Sequence, residues 1–325
     1  MKISILLSSL LLLSFSFHAQ DLKESYFSVE WISDFSHEKD IKTEDGIFSN
    51  LIDIVLGETE KKLIKPFNLV RIDQNSYLIL DQGLMTPLLV SSDGFETIEN
   101  NQYQIFPSLV GVCRFKEDKI LFTDSKLSKI FIYDINEDEL NTFPTSTKIS
   151  KPTGIAYDDI HKNIYISETD KHRIIVLSEN GQLIDTIGKR GEAEGEFNFP
   201  SFLTVDGNGS LYVVDALNFR IQIFNGKGEF IKSFGEAGDA TGYFNRPKGI
   251  KVNSYGHIFL VDALFHSVQV FNTDGKFLYN FGGLGSLNSR FWLPIGIDID
   301  DQNNIFVADS YNSRIQIFRL IDDKN

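Results

Sequence analysis

Six acidic side chains recur along the chain at nearly constant spacing: Asp81, Asp124, Glu168, Asp215, Asp262 and Asp309, the last three 47 residues apart each time. A ring of converging carboxylates is what a hard divalent cation such as calcium requires, together with further oxygen donors. Each of these acids, however, ends an apolar run and opens a short polar turn, as in "VVDALNFR", "LVDALFHS" and "VADSYNSR". In that setting an Asp side chain accepts hydrogen bonds from backbone N–H groups of its own turn. Arg173, Arg220 and Arg314 follow the acid by five residues and are placed to pair with it. The six acids are therefore expected to be structural.

His172 and His266 occupy the same place in two such turns, with Phe219 in the copy between them. Zinc needs at least three protein donors, and the positions after the neighbouring prolines hold Ser201, Lys248 and Ile295. No metal is expected, and His172 and His266 are the only candidates for one. The single cysteine, Cys113, sits in "SLVGVCRF" and reads as a buried, inert thiol. Without a second Cys neither a C-x-x-C pair nor a haem-attachment motif can be written. No Ser-His-Asp set, phosphate-cradling loop or zincin motif is present, so no catalytic residue and no cofactor is assigned.

A second marker, Pro, precedes each acid: Pro66, Pro107, Pro152, Pro200, Pro247 and Pro294. Around these prolines stand four cations, Lys65, Lys151, Arg246 and Lys248, and the aromatics Phe106, Phe199, Phe202 and Trp292. On a chain of net charge −14, four cations at one opening would focus an anionic ligand. The simpler alternative is that their long stems lie along the surface and their heads pair with neighbouring carboxylates. Lys65, Lys151, Arg246, Lys248, Phe199 and Trp292 are the candidate binding residues.

Both markers count six units, and a period in the forties marks a propeller, solenoid or array. One unit, "PKGIKVNSYGHIFLVDALFHSVQVFNTDGKFLYNFGG", breaks into "GIKVN", "HIFLVD", "SVQVF" and "FLYNFG", short Val-, Ile- and Phe-rich runs between Gly, Asn and Asp turns. Four strands with no room for a crossover helix describe a propeller blade. The nearly continuous apolar second strand is expected to be covered on both faces. An all-β, six-bladed β-propeller follows, with four antiparallel strands per blade. The turn after each acid and the segment before each Pro share one face of the disc, which also carries the long Gly-rich connections, the usual place for binding.

The last unit ends at its third strand, so the ring must be closed from elsewhere to avoid an exposed edge. "YFSVEWIS" (residues 26–33) alternates Phe27, Val29 and Trp31 against Ser28 and Glu30 and is assigned as the closing strand. "IFSNLIDIVLG" keeps helical spacing and is read as a short helix leading into the first unit. Residues 1–19 read as a secretory signal peptide: Lys2, an apolar run and Ala19. Residues 20–64 hold the closing strand and helix, and 65–325 the propeller, forming one domain. The expected location is exported, periplasmic or extracellular, without membrane insertion. A charge of −14 disfavours nucleic acid, whose phosphates reward a basic surface.

The units "FNRPKGIKVNSYGHIFLVDALFHSVQVF" and "FWLPIGIDIDDQNNIFVADSYNSRIQIF" resemble NHL repeats. The resemblance spans about residues 65–320, and with "GEFNFP", "VVDALNFR" and "FWLPIGI" it is strongest to exported bacterial NHL-repeat proteins. It implies a six-bladed propeller acting as a non-catalytic scaffold for a protein or peptide partner, alongside exported electron-transfer proteins. The alternative is a metal-dependent lyase or hydrolase with its site in the central channel. "VDALFH" is similar to a zinc-ligand segment of peptidyl-hydroxyglycine amidating lyases, which would make His266 a ligand, but the other ligand segments are missing. In a lactonase-like site Asn68 would contribute, yet the matching positions hold Leu109, Gly154, Phe202, Gly249 and Gly296.

Overall fold

The computed structural model describes residues 27–41, 61–100, 102–103 and 105–322. The proposed signal peptide and the helix expected within residues 42–60 lie outside the described residues. Six four-stranded antiparallel sheets form the chain. Blades 1 to 5 span residues 66–97, 109–142, 152–187, 200–234 and 247–282, each with its strands in sequence order from axis to rim. Blade 5 is representative, with strands Pro247–Val252, Ile258–Asp262, Ser267–Phe271 and Phe277–Gly282.

Blade 6 takes three strands from residues 297–322 and its outermost from Phe27–Phe35, paired antiparallel to Arg314–Asp322. The register runs Trp31 opposite Phe318 and Phe35 opposite Ile315, with a bulge between Trp31 and Ser33. Trp31 Nε1 donates to the side chain of Gln316 at 3.1 Å, so the closing strand is tied to the ring by more than its ladder. The ring is closed as the alternation of "YFSVEWIS" predicts.

The core is not central. Apolar clusters lie in the six clefts between neighbouring blades, such as Ile120, Phe122 and Phe131 against Leu78 and Leu80 between blades 1 and 2. This placement explains the strand patterns. The second strands Leu211–Asp215 and Ile258–Asp262 are buried throughout because they have a blade on either side. The outer strand Phe230–Phe234 keeps alternate residues exposed, since only one of its faces is covered.

Candidate functional site

The acid at the end of each second strand does more than cap its own turn. In blade 5 one oxygen of Asp262 accepts the N–H groups of Leu264 and Phe265 in the turn, and the carboxylate also accepts those of Asn245 and Arg246 in the segment entering the blade. Asp81 makes the same double set of bonds. In blades 3, 4 and 6 a cation joins: Arg173 meets Glu168 at 2.5 Å, Arg220 meets Asp215 at 2.8 Å and Arg314 meets Asp309 at 2.9 Å. All six acids are buried, and each accepts at least one backbone N–H from the segment entering its blade.

The fourth residue after each acid is left-handed in all six blades: Met85, Ser128, His172, Phe219, His266 and Ser313 have φ between 52° and 56°. Histidine tolerates that conformation better than most side chains. It also does something specific there. Nδ1 of His172 accepts the backbone N–H of Phe199 at 3.1 Å, and Nδ1 of His266 accepts that of Leu293 at 3.1 Å. Each ring therefore carries its hydrogen on Nε2, and neither nitrogen offers a free lone pair. Burial lowers the pKa of His266, which keeps this neutral form dominant at neutral pH. Among the described residues no group of three His, Cys, Asp or Glu is placed to hold a metal. His172 and His266, so bonded, do not fit a channel metal.

The turns and entry segments do share one face, the loop face. The residues immediately before the six prolines alternate between cationic and apolar: Lys65, Phe106, Lys151, Phe199, Arg246 and Leu293. Lys65, Lys151, Arg246 and Lys248 pair with no carboxylate among the described residues. Lys65 Nζ instead lies 5.3 Å from the centroid of the Tyr311 ring, which in turn sits 5.9 Å from Trp292. Lys248 is half-buried, and burial with the nearby charge of Arg246 lowers its pKa to about 8. Phe199 is exposed and packs edge-on against His172. Phe106 is not at the opening: it is buried between blades 1 and 2.

Phe202 is buried at the axis, where its ring stacks on Phe67 from the opposite blade at 6.2 Å. The inner strands converge so closely that a Cβ on Gly154 would lie 2.3 Å from the carbonyl oxygen of Ser201, and one on Gly249 2.6 Å from that of Ile295. Glycine at those positions is a requirement of close approach, which is why the matching positions are not available as metal ligands. Cys113 is buried just beneath, and burial pushes its thiol up to about 12, well out of the reactive range.

The cation positions thus surround a plugged axis. Beyond them the loop face also exposes apolar side chains. Of the nineteen large hydrophobic side chains exposed among the described residues, twelve lie on this face, from Leu217, Tyr243 and Leu264 through Leu284, Leu287, Trp292 and Tyr311 to Leu84 and Met85. Eleven belong to blades 4, 5, 6 and 1 and one, Ile105, to the segment entering blade 2, whereas the turns of blades 2 and 3 expose Lys126 and Lys171 instead. Sequence reasoning named Trp292 and Phe199 but missed this one-sided distribution. Its signal was present in the residue two after the acid, Leu217, Leu264 and Tyr311, exposed where a turn needs no apolar group.

An NHL repeat model matches residues 197–224 and 291–318. No curated protein matches the chain in sequence. Among solved structures, a protein of unknown function from Bacteroides thetaiotaomicron superposes with a TM-score of 0.67 at 14% identity, over 91% of this chain and 77% of that one. A virginiamycin B lyase from Staphylococcus aureus gives 0.60 at 14% identity, over 91% and 100%. An auxiliary nutrient binding protein from Bacteroides ovatus gives 0.62 at 12% identity, over 80% and 70%. Identities this low speak for the fold, and the two matched segments cover the entry loops and first three strands of blades 4 and 6. The chain is an all-β, six-bladed β-propeller that carries NHL repeats in blades 4 and 6.

Proposed function

We propose that the chain is a non-catalytic scaffold whose loop face docks a protein or peptide partner through an apolar anchor on blades 4, 5, 6 and 1. The observation that carries this reading is the concentration of exposed apolar side chains on that face, led by Leu287, 77% exposed, and Leu284, 66% exposed. Exposed apolar side chains gathered on one face cost solubility unless something covers them, and aromatic anchors such as Trp292 and Tyr311 are the residue types that dominate docking energies. The four cations that find no carboxylate among the described residues favour a partner that brings acidic groups to the axis.

The lyase or hydrolase alternative gains nothing from the site. The virginiamycin B lyase shares the ring, but here His172 and His266 spend their acceptors on backbone N–H groups. We place the protein outside the cytoplasm, periplasmic or extracellular, on the strength of the signal read in residues 1–19. Exported electron-transfer proteins are the first partners to test. The experiment compares capture of partner by immobilised wild-type chain and by the Leu287→Glu, Trp292→Ala double variant. Retention by the wild type and loss by the variant is expected. Equal capture by both, or none by either, sinks the reading.

A further inference from the structure

The face opposite the loops opens into a cavity of about 530 Å3 on the axis, within the size range of small-ligand sites. The inner strands of all six blades wall it. Its two enclosed carboxylates are already occupied. Asp298 accepts the backbone N–H of Arg71 at 2.8 Å and faces Lys251 Nζ at 2.9 Å. Asp300 accepts Arg71 Nη1 at 2.6 Å, Asn304 Nδ2 at 2.8 Å and the N–H groups of Gln302 and Asn304. At the rim, Asp73 holds its own turn through the N–H of Asn75, and Asp301 stands in solvent.

Donors, by contrast, are in surplus. Arg114 gives its Nη atoms only to the backbone carbonyls of Arg71, Ile72 and Glu117, and no carboxylate faces it. Lys251 has three N–H bonds and one acidic partner. Arg71 keeps an enclosed Nε–H with no acceptor. Burial opposes the charge on Lys251, but Asp298 outweighs it and raises the pKa, so the ammonium persists at neutral pH. The same ammonium acts electrostatically on Cys113, the neighbour of Arg114 on the opposite blade, so the two cations approach one space from both sides of the axis.

A space lined by unspent cationic donors, whose two enclosed carboxylates are already taken, calls for a ligand made of acceptors. We propose that this cavity binds a small organic oxyanion, a carboxylate or a phosphate, with Arg114 and Lys251 as its anchors. The planar guanidinium suits either group, offering paired N–H bonds. The site lies on the other face from the proposed docking surface, so the two stand or fall separately.

Titration calorimetry of the purified full chain tests it, with citrate as the carboxylate probe and inorganic phosphate as the other. One-to-one binding of at least one probe is expected, and the probe that binds tells which source the site prefers. Arg114→Ala should weaken it at least about tenfold, the scale of losing a charged hydrogen bond. Arg114→Gln, which keeps donors for the carbonyls but lacks the charge, should weaken it similarly while leaving the melting temperature unchanged. The Leu287→Glu, Trp292→Ala variant should bind as the wild type does. Binding of neither probe, or undiminished binding by Arg114→Gln, overturns the proposal.

Discussion

Blades 4 and 5 are adjacent copies of one pattern, yet they are secured differently. In blade 4, Asp215 accepts from Asn218, Arg220 and Gln222 side chains, and those three reach on to the carbonyls of Gly191, Ala193 and Glu196 in the loop above. Blade 6 repeats the set through Asp309, Asn312, Arg314 and Gln316. In blade 5 the corresponding residues are Phe265, Ser267 and Gln269, and only Gln269 remains to hold its loop, at Gly242 and Tyr243. The loops nevertheless share one shape, with matching bridges Arg190 to Phe197, Ala237 to Phe244 and Leu284 to Phe291. The lesson is that strand pairing and the buried phenylalanine set the loop, while the polar network adds stability to a shape already chosen. The NHL repeat model matches blades 4 and 6, the two that carry the full network.

The largest expected effect comes from removing the acid. Asp215→Ala strands the Arg220 guanidinium beside a buried strand end and should cost about 3 kcal/mol. Asp262→Ala leaves only backbone N–H groups near the surface and should cost about 1.5 kcal/mol. Denaturant midpoints at unchanged slope measure both, and equal losses would break the comparison.

Next come the glutamines. Gln269→Ala should open residues 236–244 to amide exchange more than Gln222→Ala opens 189–197, because the second loop keeps Asn218 and Arg220. Each change should cost about 1 kcal/mol overall. Building the missing network into blade 5 with Phe265→Asn and Ser267→Arg should add about 1 kcal/mol, read as a raised melting temperature. A loss there would show that the two blades differ in packing rather than only in polar contacts.

The smallest effect concerns Lys248, at the axis of the same blade. Its folded pKa of about 8 lies below the unfolded value, so the wild type carries the cost of a half-buried charge below that pH. The cost fades as pH rises from about 8 to the unfolded value near 10.4. Lys248→Met should therefore stabilise the chain by under about 1 kcal/mol at pH 6.5, with the gain shrinking by pH 9.5. A gain independent of pH would point to apolar packing instead.

Much of this was legible because propellers repeat. The acids, the prolines and the four-strand unit each appear six times, so errors in reading one copy are corrected by the others. The clamp by Gln222, Gln269 and Gln316 was missed, although a Gln recurring within "RIQIF" and "SVQVF" is a signal: a buried polar group must find partners. Lys65 and Trp292 were singled out, but their link through Tyr311 was not. Phe106 precedes Pro107 and so reads as an opening residue, but its ring fills the cleft against Phe122 and Phe131.

The order of strands, the count of blades and the closing of the ring by Phe27–Phe35 followed from local pattern, since alternation and turn chemistry act between residues close in sequence. Three properties did not: the Phe67–Phe202 plug, the cavity behind it and the apolar arc concentrated on four blades. Each depends on residues from different blades meeting around an axis. The partners lie far apart along the chain, and no period in the sequence records which way six sheets will lean toward their common centre.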